Sequence, residues 1–296
     1  MKLREALTSR TLVCDGGMGT QLVARGLRAG DVPELWNVDR AQDVSDIHRA
    51  YADAGCDLVT TNSFGASSIA LARHTLESRM RELNLAAARL ARNAVPASVY
   101  VLGDIGPCTQ MIEPYGDTTE DAALESFHLQ AKALLEGGVD GFVIETMSDV
   151  NEMMLAIRGV RQASTELPIF ATYAFNLAPD GSFRTMMGTT AMDAVCSAIS
   201  AGADAVGANC GTALSLSDYA DLGCDLITAS GKTPVIVQPN AGSPHLVDGK
   251  HTYDASPMAM AGLANELKDE GVRIIGGCCG TTPAHLAAIA RIIKST

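Results

Sequence analysis

Short apolar runs alternate with longer amphipathic segments along the whole chain. The short runs are rich in valine and isoleucine and lack a polar face, which is typical of parallel strands buried on both sides. They predict eight strands, at Thr11–Cys14, Leu58–Thr61, Val99–Leu102, Gly141–Ile144, Ile169–Thr172, Ala205–Ala208, Val235–Gln238 and Arg273–Ile275.

The segments between these runs place apolar residues at helical spacing. Start signals such as Ser148-Asp149 and Thr282-Pro283 put a capping side chain before the first turn. The pattern predicts helices at Val44–Ala54, Arg79–Val95, Thr119–Gly137, Asp149–Gln162, Ala191–Ser200, Ser215–Thr228, Met258–Asp269 and Pro283–Lys294. Eight strand–helix units favour a closed α/β structure, a single (β/α)8 TIM barrel, over an open sheet. We expect residues 1–296 to form this one barrel domain.

Composition narrows the class of protein. Hydrophobic residues make up 47% of the 296 residues and charged residues 19%, so the chain can bury a large core. A formal net charge of −12 repels nucleic acids and anionic membranes, and neither is expected as a partner. No apolar run is long enough to span a bilayer, and the first residues do not lead into a signal-peptide core. We therefore expect a cytoplasmic protein, and self-association into a homo-oligomer stays open.

The predicted strand ends carry most of the candidate chemistry. In a barrel of this kind the active site forms at the carboxyl ends of the strands. Nearly every predicted strand is followed by polar or thiol residues: Asp15-Gly16-Gly17, Asn62, Asp104, Glu145-Thr146, Tyr173, Asn209-Cys210, Pro239-Asn240 and Gly277-Cys278-Cys279. We expect the functional site at this rim.

Three cysteines stand out among the eight in the chain. A chain of this length does not need a disulfide framework, so reduced thiols are expected. Cys278 and Cys279 are adjacent and flanked by glycines, which allow the chain to bend so that both thiols face one point. Cys210 ends the sixth predicted strand, on the same rim. Three thiolates suit Zn²⁺ and leave its fourth position open, which is the pattern of a catalytic site.

The open position indicates a reaction. A thiol that binds zinc loses its proton, and thiolate ligands leave the metal with little residual positive charge. The bound sulfur of a substrate then stays electron-rich enough to attack a methyl group. The simpler interpretation is that each cysteine is a small core residue, which we expect for Cys14, Cys56, Cys196 and Cys224.

A glycine-rich segment, Asp15–Thr20, follows the first predicted strand. Its backbone N–H groups could hold a carboxylate, while Asp15 and Glu145 could hold an ammonium group. With the metal, these groups would recognise the three ends of an amino-acid thiol. The alternative interpretation is an ordinary glycine turn with acids that cap helices. The segment lacks the lysine of a P-loop, so it does not indicate phosphate binding.

Together these residues resemble the homocysteine S-methyltransferase family, which includes betaine–homocysteine methyltransferase and the homocysteine-binding module of cobalamin-dependent methionine synthase. The resemblance spans almost the whole chain. The shared motifs are DGGMGT at Asp15–Thr20, TNSFGAS at Thr61–Ser67, GDIGP at Gly103–Pro107, ET at Glu145–Thr146, GANCG at Gly207–Gly211 and GGCCGTTPAH at Gly276–His285.

The resemblance implies a role for each matching residue. Cys210, Cys278 and Cys279 would bind Zn²⁺. Asp15 and Glu145 would bind the amino group of homocysteine, and backbone groups of Gly16, Gly17 and Met18 would bind its carboxylate. Asn209 would support the site. No catalytic side chain is implied beyond the zinc-activated thiol of the substrate.

The methyl donor is less defined by the sequence. A quaternary ammonium or sulfonium donor would favour aromatic faces, for which Trp36, Tyr115 and Tyr173 are candidates. Animal betaine enzymes have tyrosines where this chain has Gly65 and Thr146, which argues against a betaine site built like theirs. Asp46-Ile47-His48 begins the pattern of a cobalamin motif but lacks its glycine. A methylcobamide donor would therefore arrive on a separate corrinoid protein.

Two other functions fit parts of the sequence. A barrel lyase or aldolase would use Gly276–Gly280 as a phosphate loop, but Schiff-base chemistry needs a lysine at a strand end, and none is predicted there. A zinc-stabilised thiol-binding or sensing protein would need a fourth ligand, for which Cys108 is the nearest candidate.

Overall fold

The computed structural model describes residues 2–212, 214–247 and 250–295. Eight parallel strands follow one another around a ring, and we label them in chain order. They are β1 (Leu12–Val13), β2 (Leu58–Thr60), β3 (Tyr100–Ile105), β4 (Gly141–Met147), β5 (Ile169–Tyr173), β6 (Ala205–Asn209), β7 (Val235–Gln238) and β8 (Ile274–Ile275). Strand β8 pairs with β1, and a bridge between Cys14 and Leu58 joins β1 to β2. The predicted TIM barrel is confirmed.

Eight helices follow the strands on the outside of the barrel. They are α1 (Ala41–Asp53), α2 (Met80–Ala94), α3 (Glu120–Glu136), α4 (Val150–Ala163), α5 (Ala191–Ala201), α6 (Leu216–Ser230), α7 (Pro257–Asp269) and α8 (Pro283–Lys294). Several begin where a side-chain oxygen accepts a hydrogen bond from the first turn, as Thr119, Thr190 and Ser256 do. Each predicted helix is present, with ends that differ by a few residues.

Shorter elements fill the connections. Helices lie at Leu3–Ser9, Met18–Ala24, Trp36–Asp39 and Ser68–Ala72, with 3₁₀ turns at Pro33–Leu35 and Glu77–Arg79. Two antiparallel hairpins pair Phe175–Leu177 with Phe183–Thr185 and His245–Val247 with Lys250–Thr252. The second hairpin lies in the connection after β7, where the sequence pattern predicted no strand.

The barrel interior is built in two layers. One residue from each strand joins a buried apolar cluster that is distinct from the cluster under the helices; these are Leu12, Leu58, Leu102, Val143, Phe170, Ala205, Ile236 and Ile274. Leu3 and Leu7 of the first helix pack against this layer. The amino end of the barrel is therefore filled by hydrocarbon, which leaves the carboxyl end for chemistry.

The second layer is polar. Because side chains alternate along a strand, residues two positions further point into the barrel as well. Here these positions are Thr60, Asp104, Glu145, Thr172 and Gln238, with Asn209 four positions after Ala205. Strands β3 and β4 extend further than predicted, so Asp104 and Glu145 are strand residues whose direction the sheet fixes.

In the described part of the chain, no helix is both long and apolar enough to cross a membrane.

Candidate metal and substrate site

A cavity of about 250 Å³ opens above the polar layer. Seven of the eight strands contribute lining residues, either from the strand itself or from the connection that follows it. Among the described residues, neither β5 nor the connection after it lines the cavity. Gly16, Gly17 and Met18 line it after β1, beside Cys278 and Cys279 after the neighbouring strand β8. Glu145 of β4 and Cys210 at the end of β6 also line it. The rim of the barrel thus brings together most of the residues that the sequence singled out.

The thiols of Cys210, Cys278 and Cys279 converge at this cavity. Their Sγ atoms all lie within 4.8 Å of one another. Tetrahedral zinc with Zn–S bonds of roughly 2.3 Å requires sulfurs about 3.8 Å apart, so a small adjustment brings these three into register. Cys210 has a positive φ of 55°, an uncommon backbone conformation that turns the chain at the end of β6.

Asn240 joins the two segments that carry these thiols. Its side-chain oxygen accepts a hydrogen bond from the Cys279 N–H at 3.1 Å, and its amide donates to the Gly211 carbonyl at 3.0 Å. The Tyr219 hydroxyl also donates to the Cys210 carbonyl. The sequence placed Asn240 at a strand end but gave it no role, because a bridge between two loops has no local signature.

Replacing Asn240 with alanine is expected to weaken metal binding by roughly 10- to 100-fold, the usual cost of losing an outer hydrogen-bond partner of a metal site. Alanine removes both hydrogen bonds of the Asn240 side chain, so the segments that carry Cys210 and Cys279 are no longer held in their relative positions. A competition titration with a coloured chelator measures the affinity. Asn265→Ala, an exposed position on α7, is the matched control. Equal affinities for the two variants would contradict this role.

The electrostatics of the three thiols fit a bound cation. Hydrogen bonds from Cys278 and Cys279 hold the pKa of Cys210 well below that of a free thiol. The same hydrogen bonds, together with burial, raise the pKa of Cys278 and bring that of Cys279 to about 11. Three thiolates at one point require a compensating positive charge, which a soft divalent ion supplies.

Buried carboxylates form the other side of the cavity. Glu34, Asp104 and Glu145 line it, whereas Asp15 lies beside it and accepts a hydrogen bond from the Thr60 N–H at 2.8 Å. Burial raises the pKa of Asp15 to about 7. Burial and the charge of Asp15 raise the pKa of Glu145 to about 8. Among the described lining residues there is no lysine, arginine or histidine. This site therefore suits a positively charged group.

The glycines after β1 are required by close packing. A Cβ on Gly16 would lie 2.4 Å from Thr281 Oγ1, and one on Gly17 would lie 2.6 Å from the Cys278 carbonyl oxygen. The Gly17 N–H donates to Thr281 Oγ1 at 3.1 Å. The first and last of the shared motifs thus pack directly against each other.

Asn209 links the carboxylates to the thiols. It is fully buried, and its side-chain oxygen accepts hydrogen bonds at 2.8 Å from the Thr146 N–H and the Thr172 hydroxyl. Its amide nitrogen lies 3.4 Å from Glu145 Oε2 and 3.9 Å from Cys278 Sγ. This network fixes the side chain between the two halves of the site.

The three aromatic candidates for the donor side lie outside this cavity. Trp36 is buried against Arg40, whose guanidinium carbon lies 3.9 Å from the ring centre, and lines a separate open groove. Tyr173 is fully buried in the layer between barrel and helices, beside Phe175. Tyr115 is 72% exposed. His48 likewise lies in the core, within α1, and not at the rim.

Comparison with known proteins identifies the class. A model of the homocysteine S-methyltransferase family matches residues 12–293. The methionine synthase of Mycobacterium tuberculosis is 31% identical to this chain over 99% of its residues. The methionine synthase of Mycobacterium leprae is 30% identical over 98%. The chain spans 25% of the length of each of these two relatives.

Solved structures agree on the fold. The homocysteine methyltransferase MmuM from Escherichia coli superposes with a TM-score of 0.74 in its metallated form, at 23% identity over 96% of both chains. Its oxidized form gives 0.73 at 25% identity over 95% of this chain and 96% of that one. The resemblance drawn from the motifs is confirmed. The chain belongs to the homocysteine S-methyltransferase family.

Proposed function

We propose that this chain methylates the thiol of homocysteine, forming methionine, with Zn²⁺ held by Cys210, Cys278 and Cys279. The observation that carries the proposal is the convergence of three thiols on a cavity whose remaining polar wall is acidic. Such a cavity offers a metal for a thiol and carboxylates for an ammonium group. Residues 1–296 act in this proposal as one homocysteine-binding barrel domain.

Zinc supplies one effect when bound: it keeps the substrate thiol deprotonated at neutral pH, where a free thiol of pKa near roughly 8.5 is mostly protonated. The chain does the rest by positioning. Asp15 and Glu145 bind the amino group, and the backbone of Gly16, Gly17 and Met18 binds the carboxylate. Asn209 holds Glu145 in place through its amide, so the sulfur and the amino group are oriented together.

The methyl donor is either a methylcobamide carried by another protein or a small onium compound such as betaine. Gly65 bears on this choice. Its N–H donates to Glu34 Oε1 at 2.6 Å, and a Cβ there would lie 2.9 Å from the same oxygen. A tyrosine at this position, as animal betaine enzymes have, conflicts with this placement of Glu34. Trp36, Tyr115 and Tyr173 stay candidates only for a donor bound outside the cavity.

The two alternative functions have less support. A phosphate-binding lyase would place an anion against three carboxylates with no cationic side chain among the described lining residues. A closed structural zinc site would need a fourth ligand, and the metal-ligand cluster found in the described residues contains only the three cysteines. Cys108 is buried elsewhere, with its thiol directed to the Gln110 carbonyl.

The test is methionine formation from homocysteine by zinc-loaded protein, with betaine, S-methylmethionine, a dimethylsulfonium compound and methylcobalamin assayed in parallel. At least one donor is expected to give turnover that a chelator abolishes and added zinc restores. Cobalt-substituted protein provides the control for the structural alternative. A cobalt spectrum that homocysteine leaves unchanged, with no turnover from any donor, would contradict the proposal.

A further inference from the structure

Asp104 has a carboxylate oxygen with no hydrogen-bond partner. The residue lies on β3 in the inward polar layer, lines the cavity and is only 5% exposed. Its Oδ1 atom is buried and accepts no hydrogen bond from the residues that the structure describes. A buried acceptor without a donor costs free energy, so a native protein retains one chiefly where a ligand completes it.

The backbone of Asp104 is held from both sides. Its N–H donates to Thr61 Oγ1 at 2.9 Å, and its carbonyl accepts from the Ser63 hydroxyl at 2.7 Å. The Thr61 and Ser63 hydroxyls are themselves 2.6 Å apart. These contacts come from the TNSFGAS motif after β2. The motif therefore holds the backbone of Asp104 at the position from which its side chain lines the cavity.

The other acids near the cavity already have donors. Asp15 accepts from the Thr60 N–H at 2.8 Å, Glu34 from the Gly65 N–H at 2.6 Å, and Glu145 from the Asn209 amide at 3.4 Å. Among the described lining residues, the other buried acceptor without a partner is Gln238 Oε1, a neutral amide. Asp104 thus offers a buried carboxyl oxygen that lacks a donor. Burial and the charges of Glu145 and Asp15 raise the pKa of Asp104, so a cation bound beside it would favour its ionised form.

We infer that Asp104 binds the amino group of the amino-acid thiol, as a specificity residue beside Glu145. The inference rests on the proposed function and gives a role to a carboxylate that lies within the GDIGP motif but to which the resemblance assigned none. An ammonium group carries three N–H donors, so it can donate to Asp104 as well as to Asp15 and Glu145. A quaternary ammonium or sulfonium donor carries none, so it would leave Asp104 Oδ1 without its hydrogen bond.

The experiment compares homocysteine with 4-mercaptobutanoate, which has the same thiol and carboxylate but no amino group. The zinc-loaded wild-type protein is expected to prefer homocysteine in kcat/KM. Asp104→Asn is expected to lose roughly 10- to 100-fold in kcat/KM for homocysteine, mostly through KM, because a charge-assisted hydrogen bond is lost. Its kcat/KM for 4-mercaptobutanoate and its KM for the methyl donor are expected to change by less than about threefold, since neither contact involves the amino group.

Asp117→Asn is the matched control, because it makes the same charge change at an exposed position in the same β3–α3 connection. Zinc content and the circular dichroism spectrum verify each variant. Should Asp104→Asn not fold, Asp104→Ser is the second variant, and the same loss of homocysteine preference is expected for it. Equal rates of the wild-type protein with the two thiols would also overturn the inference. A homocysteine preference unchanged in Asp104→Asn, or an effect confined to the donor KM, also overturns it. Absence of turnover with every thiol and donor would instead contradict the proposed function.

Discussion

Replacing Cys210, Cys278 or Cys279 with alanine is expected to remove both bound zinc and methyl transfer while leaving the barrel folded. Each thiol is one of three metal ligands, so its loss should cost more than the roughly 10- to 100-fold typical of an outer hydrogen-bond partner. The fold survives because the ligands lie on the rim, above an apolar layer that they do not contribute to. Zinc content by mass spectrometry and methionine formation measure the two losses.

Cys224→Ala is the control for this series. The expectation that Cys196 and Cys224 lie in the core was wrong: both thiols are exposed on outer helices, and Cys224 lies on α6, outside the cavity. The control variant should keep one zinc and full turnover. The triad would be refuted as the metal site if all three rim variants retained one tightly bound zinc and normal rates. Variants that lost zinc only because they unfolded would be recognised by their circular dichroism.

His48 is expected to make the protein less stable in mild acid. It is fully buried in α1, both ring nitrogens lack a hydrogen-bond partner, and burial lowers its pKa to about 4. Histidine in an unfolded chain has a pKa of roughly 6.5. Between the folded and the unfolded pKa values of His48, the unfolded chain binds a proton at this residue and the folded chain does not. The free energy of unfolding therefore falls as the pH drops through this window, by about 2 kcal/mol at pH 5.

The measurement is urea denaturation of wild type and His48→Leu at about pH 5 and pH 7.5. Leucine is apolar and does not titrate, so the variant should lose that part of the acid sensitivity and be more stable than wild type at pH 5. His74→Gln, at an exposed position, should follow the wild type at both pH values. Parallel pH dependence in wild type and His48→Leu would show that the imidazole does not titrate as inferred.

The pattern of apolar residues predicted most of the strands and helices of the fold. All eight strands and all eight outer helices were predictable because a buried parallel strand must be apolar on both faces and its helix on one. The short helices Leu3–Ser9 and Met18–Ala24 were not predicted, since too few turns leave no clear period. The hairpins after β5 and β7 were missed for a related reason: their strands are three residues long.

The site was predictable where chemistry has a local signature. Adjacent cysteines between glycines are such a signature, and so is a thiol at another strand end. The importance of Asp104 was not predictable, because its unsatisfied oxygen depends on where the donors of Thr60, Gly65 and Asn209 point. Only the packed structure shows which acid has been left without one.

Strand parity explains why Tyr173 lies outside the cavity. Thr172 points into the barrel in the same register as Phe170, so the next residue must point outward. A strand-end position in the sequence therefore indicates proximity to the rim but not the face on which a side chain lies. The same rule places Glu145 inside, two residues after Val143.

The close packing of Gly17 on the loop after β8 has a consequence for assembly. The Gly17 N–H reaches Thr281, 264 positions later in the sequence, and the Gly277 N–H reaches the Asp15 carbonyl at 2.9 Å. Two of the three sulfurs are thus in place only once the last strand has docked beside the first. Binding of the ion is therefore linked to the pairing of β8 with β1. By this linkage, the bound ion should stabilise that strand pair against local unfolding. Amide exchange at Leu12 and Cys14, whose N–H groups donate to the Arg273 and Ile275 carbonyls, would then slow when the ion binds.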